Sequence, residues 1–470
     1  MTRHGAEKPF NPETAIEKFF QNSSTRIAVF GFNLELLPDL DAKKSTLRLL
    51  TFLREHQRWQ IVALLFLIAA VNNLDRQALS VLAPSLRENL GFGAIEYSYI
   101  VTSFLAAYTL GYTFCGAILD RIGVKIGLAV ALAFWSLSGM LHAAATGWIT
   151  LAVFRFMLGI GESFNSPGGV KAISEWIPPR ERGLSMAIFS NGNVIGAILA
   201  PPIVAFLALH FGWRWAFIGT GTIGFILLAI WWRRYESPER QPALTVKERE
   251  YLQDTLPAEL EDKSRIPMLA LLRDPLCVAF FIGRFLTDST AYFFSFWLPD
   301  YLTHSRGFSL ALIGLVGWLP FLASDLGGPG GGALSDWFVR RGWTSRKARL
   351  TMMFSAACLM PMASVAVRVE SAMGALALIA LVLAAQSCWM ANQLTLISES
   401  VSRQNVATLL SLSALGGGLG GIISTLVAGR VISSFGYIPV FTGIGLLHLT
   451  AFATIFFLIR WKQSGPASTQ

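Results

Sequence analysis

The segment Asn72-Asn73-Leu74-Asp75-Arg76 sets a full acid and a full base inside an apolar run long enough to cross a bilayer. A second pair, Arg155 and Glu162, lies in a later apolar run. Its spacing is close to two helical turns, so both side chains project from one helix face. Ionisable groups at membrane depth are costly and usually face a water-filled cavity or a partner. Static pairs, Asp75 with Arg76 and Arg155 with Glu162, would be the purely structural explanation, but buried ion pairs are weak devices for stability. Burial disfavours a charged carboxylate while a neighbouring guanidinium favours it, so an acid held between the two can switch. Acids and bases on two such helices suit a device that moves a charged solute together with protons. Asp75 and Glu162 are the expected proton carriers, and Arg76 is the expected clamp for a carboxylate, which its planar fork can bind bidentately.

These groups need a membrane to position them, and the composition supplies one. Of 470 residues, 53% are hydrophobic and only 14% are charged, with a mean hydropathy of +0.52. A soluble domain carries about 25% charge. The net charge of +9 could suggest nucleic acid, but the basic residues fall in the gaps between apolar runs. Cys115, Cys277, Cys358 and Cys388 stand singly in apolar stretches, which predicts buried packing rather than a metal or disulfide framework. The histidines are dispersed and no nucleophile elbow is present. An enzyme is therefore not expected, nor a cofactor or metal, with protons as the coupling ion.

Crossing a bilayer takes about 20 apolar residues. On that basis spans are expected at 59–83, 95–119, 123–146, 148–170, 184–208 and 213–235, then at 275–302, 309–335, 348–368, 372–399, 405–433 and 437–461. The organisation is an extension at 1–58, a six-helix half at 59–235, a charged and proline-rich loop at 236–274, a second half at 275–461 and a tail at 462–470. Arg76, Arg155 and Arg284 lie inside spans, and Arg87, Arg214, Arg306, Arg368 and Arg430 at one membrane face; every other Lys and Arg lies at the face carrying both termini. By the positive-inside rule both termini are cytoplasmic. Residues 1–58 lack the pattern of a signal peptide, although Leu47, Leu50 and Leu53 among basic residues could form an interfacial helix.

Gly116-Ala-Ile-Leu-Asp120-Arg121 joins spans two and three, and Gly332-Ala-Leu-Ser-Asp336 stands at the matching place in the second half. The repeat predicts duplicated halves, as in secondary transporters. Each Gly would admit a close neighbouring helix, and each Asp would cap a helix or pair with Arg across the seam. The run Gly416-Gly417-Gly418-Leu419-Gly420-Gly421 resembles a dinucleotide fingerprint but lies inside a span with no preceding strand, so tight helix packing is expected instead.

The segments Asn73–Arg76, Ser103–Tyr108, Arg155–Glu162, Glu181–Gly183, Asn193–Pro202, Phe211–Phe217, Arg284–Asp288, Phe296–Leu302 and Trp318–Gly327 resemble the major facilitator superfamily over residues 59–461. More narrowly they resemble its anion:cation symporter branch, and most of all bacterial hexuronate transporters. The chain departs from these in carrying Gln386 where they tend to show His. The resemblance implies an all-α fold of twelve transmembrane helices, a monomer in the bacterial cytoplasmic membrane, a sugar-acid anion as substrate and protonation at Asp75 and Glu162. Arg155 would hold Glu162 charged or touch substrate. Tyr108, Asn193 and Asn392 offer donors and acceptors for sugar hydroxyls, and Trp389 a face for a pyranose. Arg284, Asp288 and Tyr292 recur every four residues as one polar stripe, with Arg284 and Tyr292 as further candidates for substrate contact. Arg76 and Arg284, one per half, leave open an organic-anion or organophosphate antiporter, and symport of an aldonate or another carboxylate is a further alternative.

Overall fold

The computed structural model describes residues 56–242, 244–255, 274–400 and 403–464, which are helical throughout apart from short connections. Lipid offers no hydrogen bonds to an exposed backbone, so a chain of this hydropathy must satisfy its amides within each segment, which helices do. The first six spans are α1 (Gln57–Leu90), α2 (Ala94–Ile122), α3 (Val124–Leu141), α4 (Trp148–Glu162) continued by α5 (Asn165–Trp176), α6 (Pro179–Phe211) and α7 (Trp213–Arg234). A short helix, α8 (Val246–Thr255), lies in the central connection. The second six are α9 (Pro275–Arg306), α10 (Leu310–Val316) with α11 (Leu319–Arg340), α12 (Ser345–Leu359) with α13 (Met362–Ala366), α14 (Ala372–Ser400), α15 (Arg403–Phe435) and α16 (Tyr437–Ser464).

Among the described residues, 11 of these segments are long and apolar enough to cross a membrane unaided. The fourth span is the exception. Expected to run unbroken over 148–170, it is interrupted by a turn at Ser163-Phe164, directly after Glu162. Irregular backbone at membrane depth is tolerated where it is buried in protein or lines a cavity, and Glu162 is fully buried.

The two halves pack alike. α1 lies against α6 as α9 lies against α15; α2 lies against α4 as α11 lies against α14; and α1 meets α7 as α9 meets α16. Glycines set the first pairing in both halves. A Cβ on Gly192 or Gly196 would collide with the carbonyl oxygens of Phe66 and Ala70, and one on Gly416 or Gly420 with those of Phe281 and Phe285. The glycine-rich run in α15 is thus a helix-packing surface, since small residues let backbones approach closely in lipid. Gly91 (φ 64°) and Gly307 (φ 69°) end the first helix of each half in the left-handed region, where any side chain would be strained.

Three sequence expectations change here. Gly116 and Gly332 face open space and admit no neighbouring helix. Asp120 and Asp336 do not pair across the seam: Asp120 accepts from Lys171, and Asp336 sits 2.7 Å from Arg349, each partner in the same half. Arg121, beside Asp120, is exposed. Of the cysteines, Cys358 is exposed rather than buried, where the thiol behaves as one more apolar group on a spanning helix. The segment around Leu47 and the part of the loop at 256–273 lie outside the described residues. The part of the central connection that is described is anchored: the Glu248 carboxylate accepts from the backbone amides of Gln57 (2.9 Å) and Arg58 (3.2 Å), capping the start of α1.

Candidate functional site

α1 and the broken α4–α5 span carry the acids and bases, and their packing rearranges the pairs read from sequence. Arg76 binds Glu162, with Nε 2.9 Å from Oε2, rather than Asp75. Neighbours along a helix do not face each other, so Asp75 and Arg76 diverge, and Arg76 reaches α4 instead. Arg155 is not the partner of Glu162. It is fully buried and donates from one Nη to the backbone carbonyl of Arg76 at 2.5 Å, while its Nε and other Nη are without hydrogen-bond partners. Arg155 therefore fixes the backbone that carries Arg76 and adds positive charge beside Glu162.

Asp75 points elsewhere. It is buried, neither carboxylate oxygen has a hydrogen-bond partner of good geometry, and its polar surroundings are Thr220 of α7, Glu162 and Arg155. The Arg76 side chain keeps 20% of its surface exposed whereas Glu162 keeps none. Only the Nε edge of Arg76 enters the ion pair. The guanidinium carbon lies over the Tyr108 ring, 4.7 Å from its centroid.

One residue outside the sequence-derived set belongs here. The Phe104 ring takes both guanidinium groups, Arg76 at 5.2 Å and Arg155 at 4.8 Å from its centroid, and stacks on Tyr108. A ring face attracts cations and separates two like charges without a counter-ion. The signal was present as two aromatics four residues apart on α2, one helical stripe.

The second half contributes a facing wall. Tyr292 of α9 is half-buried and close enough to Tyr108 and Arg76 to interact with them electrostatically. Arg284 is engaged by Asp288, which accepts from Nε (2.9 Å) and one Nη (2.6 Å) through a single oxygen, leaving the other buried and unpaired. Asn392 is buried and donates to the Cys388 carbonyl, with its own oxygen unpaired. Asn193 of α6 is half-buried. Trp389 is placed differently from expectation: it is fully buried, donates to Gln393 at 2.8 Å and packs edge-on against His448, so it offers no face to a ligand. Among the described residues no group of His, Cys, Asp and Glu could hold a metal ion.

A partly exposed arginine on α1 paired to a buried acid at the break of the fourth span, in a protein of two similarly packed helical halves, is an arrangement suited to a solute carrier. Comparison with known proteins agrees. The profile of the Major Facilitator Superfamily matches residues 65–404. The chain is 30% identical to the hexuronate transporter of Escherichia coli (strain K12) over 415 residues, which is 87% of this chain and 95% of that protein. It is 33% identical to the galacturonate transporter of Dickeya chrysanthemi over 272 residues, 57% of this chain and 79% of the relative. It is 32% identical to a probable L-galactonate transporter of E. coli over 368 residues, 74% and 80% of the two chains. In shape it superposes on a bacterial homologue of the human lysosomal transporter Spinster in an inward-facing, occupied conformation. That match has a TM-score of 0.69 and 17% identity, covering 87% of this chain and 99% of the other. The protein is thus a membrane transporter rather than an enzyme, and it belongs to the Major Facilitator Superfamily.

Proposed function

We propose that this transporter is a proton-coupled symporter that imports a sugar-acid anion, a hexuronate in the first instance, by alternating access across the bacterial cytoplasmic membrane, with both termini cytoplasmic. The observation that carries the proposal is the state of Arg76: its Nε edge is bound to a fully buried Glu162 while 20% of the side chain stays open to solvent. An incoming carboxylate binds the exposed part and competes for the charge that Glu162 depends on. A buried carboxylate deprived of its partner is costly, and taking up a proton removes that cost. Asp75, buried with no hydrogen bond to either oxygen, is the second site where a proton relieves an isolated charge. Anion and proton then favour one another, which is the thermodynamic content of symport.

The membrane potential argues the same way. Moving one anion inward against an inside-negative potential costs about 2.3 kcal/mol per 100 mV. One proton makes the step electroneutral and two make the potential assist it. The relatives named for hexuronate, galacturonate and L-galactonate supply the substrate class. An exchanger built on a pair of arginines would need Arg284 free, whereas Asp288 holds it through two nitrogens.

The decisive measurement is proton uptake by proteoliposomes on addition of glucuronate, galacturonate and galactonate in turn. Internal acidification together with accumulation of one of them is expected. Accumulation that ignores an imposed pH gradient, with undiminished counterflow, would establish exchange instead.

A further inference from the structure

The hydrogen bonds between the halves gather at one end of the molecule, and a proline in each half explains where they form. Pro299 in α9 has no amide hydrogen, so the carbonyl of Ser295, four residues earlier, loses its helical donor. The Ser80 hydroxyl of α1 donates to that carbonyl at 2.7 Å and to the carbonyl of Phe296 at 3.1 Å. The Tyr97 hydroxyl of α2 donates to Phe296 as well, at 2.7 Å. Ser80 is itself four residues before Pro84, so Ser-x-x-x-Pro stands in the first helix of each half and the two copies meet.

One to two turns farther along, the Asp300 carboxylate is fully buried and receives an Nη of Arg87 at 2.7 and 2.6 Å, the Tyr437 hydroxyl and, at 3.2 Å, the ring of His304. Arg87 belongs to the first half; Asp300, His304 and Tyr437 belong to the second. Ser98 of α2, on the same face, is covered by Gly429 of α15. None of these residues hydrogen-bonds Arg76 or Glu162, although the Phe296 ring packs edge-on against Phe104.

We infer that Arg87, Asp300 and Tyr437, with the Ser80 and Tyr97 bonds to the carbonyls around Pro299, form the outer gate of the transport cycle, closed in this conformation. Its sidedness rests on the orientation proposed above. Except for the bond of Tyr437 to Asp300, which steadies the carboxylate within the second half, every bond in it joins one half to the other, so rocking of the halves must break the Arg87, Ser80 and Tyr97 bonds together. The Ser295 carbonyl released by Pro299 can take a hydroxyl or water in turn without unfolding α9, which makes the lock reversible. Asp300 and Arg87 set how long the outer side stays shut, and neither needs to touch substrate.

The test is the alkylation rate of Ser98→Cys by a membrane-impermeant maleimide added from outside, with protein lacking that substitution subtracted. Tyr112→Cys, labelled with the same reagent from the cytoplasmic face in inverted vesicles, serves as the opposite reporter. Tyr112 is 41% exposed on α2 and near Arg284 of the other half. Asp300→Asn or Arg87→Gln should speed labelling at Ser98→Cys about tenfold or more and slow labelling at Tyr112→Cys. The pair together should do no more than either alone. General loosening of the fold would speed both positions, and that result overturns the proposal, as does an unchanged rate at Ser98→Cys. If the charge variants fail to assemble, Ser80→Ala removes two inter-half bonds without stranding a charge and must shift both rates in the same opposed sense. The readout needs neither substrate nor proton flux. An error in the transport proposal would therefore leave it standing, and inverted sidedness would show as labelling from the other face.

Discussion

Replacing Glu162 by Gln tests the competition at Arg76 directly. The side chain keeps its size and can still accept a hydrogen bond, but the charge facing Nε of Arg76 at 2.9 Å is gone. In the wild type, a substrate carboxylate must draw Arg76 away from that charge whenever Glu162 is deprotonated. A hydrogen bond to a charged group is worth roughly 1.5–3 kcal/mol net, and about 1.4 kcal/mol is tenfold in affinity. The Arg76 side chain is only 20% exposed, so solvent screening takes little from this. In Glu162→Gln, anion affinity at alkaline pH should therefore rise by about 10- to 150-fold, to the level the wild type reaches once acid has protonated Glu162. The sign is definite: wild-type affinity increases as pH falls, and the variant loses that dependence because the group that titrates is absent. Calorimetric titration of detergent-purified protein with a hexuronate from pH 5 to 8 measures both. Proteoliposomes should show retained counterflow and lost accumulation on a pH gradient. The reasoning is refuted if Glu162→Gln binds more weakly than wild type at every pH, or if its affinity still climbs on acidification.

Other substitutions separate binding from architecture. Arg76→Lys should weaken anion binding at least tenfold, since an ammonium lacks the planar fork that binds a carboxylate bidentately; affinity within twofold of wild type would move the clamp elsewhere. Phe104→Leu removes the ring shared by two guanidinium groups, contacts worth about 0.5–2 kcal/mol when desolvated, and should raise KM several-fold with little change in maximal rate. Gly420→Ala puts a methyl group into the Phe285 carbonyl oxygen across the α9–α15 contact; the loss should be of folded protein on size-exclusion chromatography rather than of affinity. Trp389→Phe discards the bond to Gln393 and should lower thermal stability while the Kd for sugar acids stays within about threefold of wild type, a limit set by its burial away from ligand.

Much of the fold was legible because lipid is a simple solvent. Apolar length alone marks most spans, and the clustering of Lys and Arg marks an orientation. The break in the fourth span went unread although a signal for it stands in the sequence: Pro167 has no amide hydrogen for the carbonyl of Ser163, four residues earlier, which is where the turn lies. The Ser-x-x-x-Pro repeat was visible as letters, but its meaning depends on which carbonyl lies opposite which hydroxyl.

The sequence by itself determined that Asp75, Arg76, Arg155 and Glu162 are at membrane depth, because hydropathy depends only on neighbours along the chain. Only the tertiary structure decided who pairs with whom. It joined Arg76 to Glu162, turned Arg155 onto a backbone carbonyl, left Asp75 alone near Thr220 and withdrew Trp389 from the site. The physical reason is that successive residues on a helix diverge by about 100°, so an acid next to a base in sequence faces a different helix, and which helix that is depends on how the spans pack.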